Sequence, residues 1–344
     1  EPGEVSGVWE ACPYCLRGGL PPWVDFHYYW LLTDDAGNTY ETVPEHGIYE
    51  DNTREWNVLD RDDITLYWFG YDPEFGELMA DAMTQFSANM EIAWGRTLSY
   101  TPIAIMFPDG EVWNEYVEGG VNPNAAGFTD SSTGFTVLRP AQPRDPLRQD
   151  ELRSLCGGYW YGDRPNTPEE WALEDTLHTV LHEFTHLYQA DFRTRGPFWW
   201  TEGEADFFAN AALTWRNRDS DSRMMNWGAM GYDLITLQGG GPSGGSTTSA
   251  DGCHALGYAV GDSFIRWLVD NYGGLEIHYT VLENIPGNGV ESALEIATGV
   301  SFNELENQYR AAFGIAPVSV QPTATPFVFP TAPIPSIPTS PPSG

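Results

Sequence analysis

Residues 167–192 read TPEEWALEDTLHTVLHEFTHLYQADF, and this stretch predicts one long helix around which the fold is organised. Thr167 is a suitable N-cap, Pro168 suits the first helical position, and Glu170 completes a capping box with Thr167. Apolar residues surround positions 180–188, which indicates that the second half of the helix is buried. The helix is expected to end before Gly196, which is followed by proline.

The sequence H-E-x-x-H lies in the buried half of this helix, at His182, Glu183 and His186. Residues i and i+4 share one helix face, so the two imidazoles can take two corners of one zinc tetrahedron, while Glu183 can reach a water on the metal. Buried histidines and a buried carboxylate without partners would be costly, and a metal accounts for all three. The alternative is a helix with two surface histidines and an unrelated glutamate. His178 is interpreted as a core or surface histidine.

A third ligand is predicted in WWTEGEADFFA, residues 199–209. Catalytic zinc takes three protein ligands plus water, commonly two histidines and one glutamate. Glu202 lies in the first turn of a helix predicted from about Thr201 to about residue 215. Asp206, four residues later on the same face, can accept the free N–H of a ligand histidine. Glu204 points elsewhere and is predicted to face solvent. Without H-x-x-G-x-x-H after residue 186, a three-histidine site is excluded.

The rest of the chain predicts an α+β fold with a mixed sheet and a helical C-terminal part. Alternating aromatic and β-branched residues in 23–68, broken by turn signals, indicate a small antiparallel β unit. A helix is predicted at 75–95, further strands at 64–69, 103–107 and 134–138, and a later helix at 255–272. Residues 140–166 and 239–252 are predicted loops.

Three segments follow from this organisation: a β-rich unit at 1–63, a catalytic domain at 64–315, and a tail at 316–344. The tail is rich in Pro, Thr, Ser and Ala and has almost no charge. Such a segment buries too little apolar area to fold, so we expect an extended linker or stalk.

The charge balance is strongly acidic, since 16 basic residues, all arginine, stand against 49 acidic ones for a net charge of −33. This surface repels phosphate and anionic lipid, so no nucleic-acid partner is expected. Calcium capture by acidic residues such as Asp60, Asp62 and Asp63 stays a minor alternative, because no EF-hand pattern is present. Without an apolar run of about 18 residues, no transmembrane segment is expected.

The four cysteines are Cys12, Cys15, Cys156 and Cys253. The C-x-x-C of the first two is not followed by a helix in a βαβ unit, so a redox dithiol is not favoured. An even count fits two disulfides in an exported chain, Cys12–Cys15 and Cys156–Cys253, although four cysteines allow three pairings. We therefore expect a secreted or cell-surface protein, and we expect it to be a monomer.

HEFTH followed by WWTEGEADFF resembles the gluzincin branch of zinc metallopeptidases, thermolysin-like in its catalytic helices and similar to the peptidase MA-like families of exported bacterial proteins. GYAVGDSFIRWLVDNYGG and GVESALEIATGVSFNELENQYRAAF resemble the pattern after the third ligand in those families. The likeness covers about residues 64–313 and excludes the N-terminal β unit and the tail.

The resemblance implies zinc-dependent hydrolysis of peptide bonds in a peptide or protein substrate. Zinc would be held by His182, His186 and Glu202, with Glu183 as general base. In related gluzincins a tyrosine or histidine of a later helix stabilises the oxyanion, and Tyr258 is the first candidate here, with His254 second. A core aromatic is the alternative for Tyr258. Trp199, Trp200 and Trp227 are interpreted as either a cleft wall or core residues.

Two other functions fit the same residues. The first is an adhesion module that keeps the metallopeptidase fold, with or without its zinc, and has weak catalysis. The acidic surface and the tail would suit it. The second is a zinc hydrolase of non-peptide amides, in a glycan or a small metabolite. The intact Glu183 argues against the first, since binding zinc does not require it.

Overall fold

The structure is a computed structural model that describes residues 22–108, 112, 126–130, 134–143, 165–211, 214–229, 234 and 256–317. The cysteines, His254, the loop 239–252 and most of the tail therefore lie outside the described residues. Nine strands are described, which are β1 (Asp25–Tyr28), β2 (Leu31–Thr33), β3 (Thr39–Glu41), β4 (Glu45–Ile48), β5 (Asn57–Arg61), β6 (Ile64–Trp68), β7 (Ile103–Met106), β8 (Gly127–Asp130) and β9 (Phe135–Leu138).

Eight helices are described in the same part of the chain. They are α1 (Pro73–Trp94), α2 (Pro168–Asp191), α3 (Phe198–Ala209), α4 (Thr214–Ala229), α5 (Leu256–Tyr272), α6 (Leu275–Asn288, with non-helical backbone at Pro286 and Gly287), α7 (Val290–Thr298) and α8 (Phe302–Ala312). The α+β class predicted from the sequence is confirmed. None of the described helices is both long and apolar enough to cross a membrane.

The main sheet has five strands in the order β5-β6-β7-β9-β8. The inner strands β6, β7 and β9 are parallel, and the two outer strands pair antiparallel with their neighbours. Parallel strands are typically covered on both faces, and β9 is buried along its whole length. Strand β8 forms one outer edge of this sheet, a position that matters for the site below.

Side chains of the sheet alternate between two cores, as the period of two in a strand requires. Ala104 and Met106 of β7 pack into the large core with the helices, whereas Ile105 and Phe107 pack into a smaller one with Val24. Val24, just before β1, therefore packs on the face of the sheet opposite the helices. The predicted boundary at residue 63 falls within the β5–β6 hairpin, and the division into domains stays a prediction.

Helix α2 begins as the sequence predicted. The Thr167 hydroxyl accepts from the Glu170 N–H at 3.2 Å, and Glu170 Oε2 accepts from the Thr167 N–H at the same distance, which completes the capping box. Helix α2 packs against α1, α3 and the neighbouring strands β8 and β9. Its buried half is thus held between the sheet and the C-terminal helices.

Helix α3 lies in direct backbone contact with α5. A Cβ on Gly203 would lie 2.4 Å from Gly261 Cα, and one on Gly261 would lie 1.9 Å from the Trp199 carbonyl oxygen. Both positions therefore need glycine, because any side chain would separate the two helices. This close approach brings the first turn of α5 next to the histidines of α2.

Candidate metal centre

The two motif histidines of α2 lie with their Nε2 atoms 3.2 Å apart. Both side chains are buried, with 7% of His182 and 9% of His186 exposed. The helix places them on one face because they are separated by four residues. The two facing ring nitrogens are close enough together to bind one ion between them.

Glu202 of α3 completes a triangle of donor atoms. Its Oε2 lies 3.3 Å from His182 Nε2 and 3.4 Å from His186 Nε2. Ligands bound tetrahedrally at about 2.0–2.1 Å are separated by about 3.3–3.4 Å, so the three atoms fit one zinc ion.

The sequence predicted Glu202 in the first turn of its helix. That prediction is wrong, because α3 begins earlier, at Phe198 after Pro197, and places Glu202 in the second turn.

Asp206 orients the first histidine. Its Oδ1 accepts a hydrogen bond from His182 Nδ1 at 2.9 Å. A carboxylate only accepts, so Nδ1 carries a proton, and in the neutral ring the Nε2 lone pair points into the triangle. His178 Nε2 lies 3.3 Å from the same oxygen. His178, His182 and Asp206 therefore form a second group of close ligand atoms. That group is less suited to an ion because Asp206 already binds His182.

The electrostatics of the site favour a cation. Burial alone would raise the pKa of Glu202, but His186 and His182 outweigh it and lower that pKa, so the carboxylate is ionised. Burial would lower the pKa of His182, but hydrogen bonds to Asp206 and Glu202 raise it instead. Burial, followed by Arg216, lowers the pKa of His178, which keeps that ring neutral. The cluster therefore attracts positive charge.

Glu183 is held beside the triangle by the edge strand β8. The Thr129 hydroxyl lies 2.9 Å from Glu183 Oε2 and 2.8 Å from the Glu183 carbonyl oxygen, with one proton to donate. Gly127 leaves room for the side chain, since a Cβ there would lie 2.6 Å from Glu183 Cγ. The sequence carries no signal for either contact, because nothing in its spacing relates β8 to the helix.

Tyr258 of α5 lies over the site. Its ring stacks on that of His182, with 5.5 Å between centroids. Burial first, then the charges of Glu202, Asp206 and Glu183, raise the pKa of Tyr258 far above its ordinary value. The hydroxyl therefore stays protonated, and its hydrogen bond goes to the Glu202 carboxylate. Its role at the oxyanion stays a prediction. His254 lies outside the described residues.

The triangle opens into a cleft of about 550 Å³. The candidate ligands, Glu183 and Tyr258 line it together with residues of β8 and of the start of α3. Arg195 also lines it and is exposed. Trp199 and Trp200 are wholly buried in the core, so of the two interpretations the core one holds for them. The side chain of Trp227 lies outside the described residues.

The sequence placed Glu204 in solvent, and that prediction is wrong. Glu204 has no exposed surface, because the side of α3 opposite Glu202 is covered by Gln189 of α2 and His278 of α6. Sequence reasoning missed both of these residues. Gln189 could have been found, since it follows His186 by three residues and so lies on the same helix face.

Zinc is expected to raise the melting temperature of the metal-free protein, because the ion binds the folded cluster and not the unfolded chain. At free zinc of about 1,000 times Kd the gain is about 4 kcal/mol. For a protein of 344 residues each kcal/mol corresponds to about 2 °C or less. Calorimetry with zinc, with calcium and with chelator measures the shift; equal shifts with zinc and calcium would contradict the site.

No family model matches the chain, and no curated protein matches it. Among solved structures, the chain is similar to the crystal structure of an aminopeptidase N family protein from Idiomarina loihiensis. The TM-score is 0.36 and the sequence identity 11%, over 86% of this chain and 49% of that one. The chain thus spans about half the length of that protein, and a likeness at this level assigns neither fold nor activity.

Proposed function

We propose that the protein is a zinc metallopeptidase of the gluzincin type. The observation that carries the proposal is the triangle of His182 Nε2, His186 Nε2 and Glu202 Oε2, with sides of 3.2–3.4 Å, beside the seated Glu183. Zinc held by these groups would supply a Lewis acid that polarises a carbonyl and acidifies a water molecule. The resemblance of HEFTH and WWTEGEADFF to that branch of peptidases supports the same assignment.

In this proposal each nearby side chain has a defined task. Glu183 accepts a proton from the attacking water and passes it to the leaving amine, as a general base and then a general acid. Thr129 keeps the Glu183 carboxylate turned toward the cleft. Tyr258, whose hydroxyl stays protonated, donates a hydrogen bond to the oxyanion that develops on the scissile carbonyl.

The edge strand β8 supports an extended peptide as the substrate. Among the strands that the structure describes, β8 has one sheet neighbour, β9, and Gly127, Phe128 and Thr129 line the cleft. An extended chain can add to an exposed sheet edge through main-chain hydrogen bonds, with little demand on its sequence. This feature favours a peptide over a small non-peptide amide.

The seating of Glu183 also argues against a binding module without catalysis. Holding zinc requires the histidines and Glu202 alone, yet Gly127 and Thr129 are arranged around the general base.

We further propose that the protein works outside the cytoplasm as a monomer, with its cysteines in two disulfides. The cysteines lie outside the described residues, and the proposal rests on their even number and on the acidic surface.

A quenched-fluorescence peptide library, with casein as a second substrate, tests the activity. The zinc-loaded protein is expected to cleave both, to lose cleavage in a chelator, and to regain it when zinc is returned. A non-peptide hydrolase or an adhesion module would leave both substrates intact at full zinc occupancy. Cleavage that persists in the chelator would contradict the metal mechanism.

A further inference from the structure

A line of buried polar side chains runs from His186 away from the cleft. It consists of Gln189 of α2, Glu204 of α3 and His278 of α6, all with no exposed surface. None of the three lines the cleft. Replacing a buried ion pair by apolar groups of similar volume is often neutral or stabilising, so stability alone does not account for these three side chains.

Gln189 determines which nitrogen of His186 carries the proton. Its amide Nε2 donates to the Thr201 carbonyl oxygen at 2.7 Å and to Glu204 Oε2 at 2.8 Å. This fixes the orientation of the amide and turns Oε1 toward His186 Nδ1, at 2.7 Å. An amide oxygen only accepts, so in the neutral ring Nδ1 carries the proton and Nε2 the lone pair.

Glu204 and His278 anchor this orientation from behind. Glu204 Oε1 lies 2.6 Å from His278 Nε2, which leaves Oε2 to receive the Gln189 amide. The His278 ring is itself packed against aromatic rings, stacked on Trp200 at 6.2 Å and edge-on to Trp94 at 5.9 Å. Within the described part of the chain, the hydrogen-bond partner of that ring is Glu204, because His278 Nδ1 has no hydrogen-bond partner there.

We propose that Gln189, Glu204 and His278 form a positioning relay that holds His186 in its Nδ1–H tautomer and presents its Nε2 to the metal. The inference rests on the proposed metal site and not on the peptidase activity. The relay acts on His186 as Asp206 acts on His182. It does so through the amide of Gln189 and through a third helix, α6. The relay thereby couples the packing of α6 to the position of a ligand on α2.

Two measurements on the full chain test the relay. The first is the zinc dissociation constant. The second is the ¹⁵N shifts of His186 in zinc-free protein, at a pH at which the ring is neutral, assigned with a His186→Gln variant. Gln189→Leu is expected to weaken zinc binding about 10- to 100-fold and to mix the two tautomers. Glu204→Leu, which does not touch His186, is expected to act in the same direction. Glu204→Gln keeps an acceptor for Gln189 and is expected to stay close to wild type.

Val180→Ala is the structural control, since Val180 is a wholly buried core residue of the same helix. It is expected to lower the melting temperature and leave zinc affinity and tautomer unchanged. The relay is overturned if Glu204→Leu keeps wild-type zinc affinity and a single His186 tautomer. It is also overturned if Val180→Ala weakens zinc binding as much as Glu204→Leu does. The tautomer readout needs neither zinc nor hydrolysis, so its result is independent of failure of the peptidase activity.

Discussion

Glu183→Gln is expected to lower kcat for peptide cleavage about 10²- to 10⁴-fold, the usual contribution of a general base, while zinc content stays at one ion per chain. Glutamine has the shape of glutamate but accepts no proton at working pH. The Thr129 hydroxyl can still donate to the amide oxygen, and Gly127 still leaves room for the side chain. The fold and the ligand triangle should therefore be unchanged.

The matched control for this variant is Glu169→Gln, an exposed glutamate in the first turn of the same helix. It is expected to keep wild-type activity and wild-type zinc content. Steady-state kinetics on the library's best peptide, with metal analysis of the same preparations, separates the outcomes. Loss of zinc in Glu183→Gln would mean that Glu183 is a ligand, and retained activity would remove it from the mechanism.

Glu202→Ala is expected to abolish stoichiometric zinc binding, and with it activity. Removing its carboxylate leaves two imidazoles, which are too few for a catalytic zinc site with three protein ligands. We expect zinc affinity to fall more than the roughly 10- to 100-fold that loss of an outer hydrogen-bond partner costs. Metal analysis after dialysis against a defined free zinc concentration measures the change.

Asp206→Asn provides the comparison for Glu202→Ala, since Asp206 lies one turn later on the same face and holds a ligand without being one. It is expected to weaken zinc binding about 10- to 100-fold, which is less than the loss expected for Glu202→Ala. Wild-type stoichiometry in Glu202→Ala would show that another residue is the third ligand. A larger loss in Asp206→Asn would favour the second group, in which Asp206 joins His178 and His182.

The sequence was sufficient for features that depend on neighbours along the chain. The capping box of Thr167 and Glu170 and the shared face of His182 and His186 follow from helix geometry. The end of α1 at Gly95 follows in the same way, because glycine takes the left-handed conformation there, with φ of 76°. Asp206 was also found, since its spacing from Glu202 places both on one face of α3.

Features that depend on contacts between distant segments could not be predicted. Glu204 was assigned to solvent because helical spacing shows which residues share a face, but not what packs against each face. The partner that buries it, His278, is 74 residues away in the chain. Gly127 and Thr129 surround Glu183 from a sheet edge whose position depends on the whole sheet order.

Anomalous diffraction at the zinc edge, from crystals of the zinc-loaded protein, tests the central claim most directly. We predict one strong peak between α2 and α3, within about 2.0–2.2 Å of His182 Nε2, His186 Nε2 and a Glu202 carboxylate oxygen. A peak that has Asp206 or His178 as a ligand, or that lacks Glu202, would contradict the account.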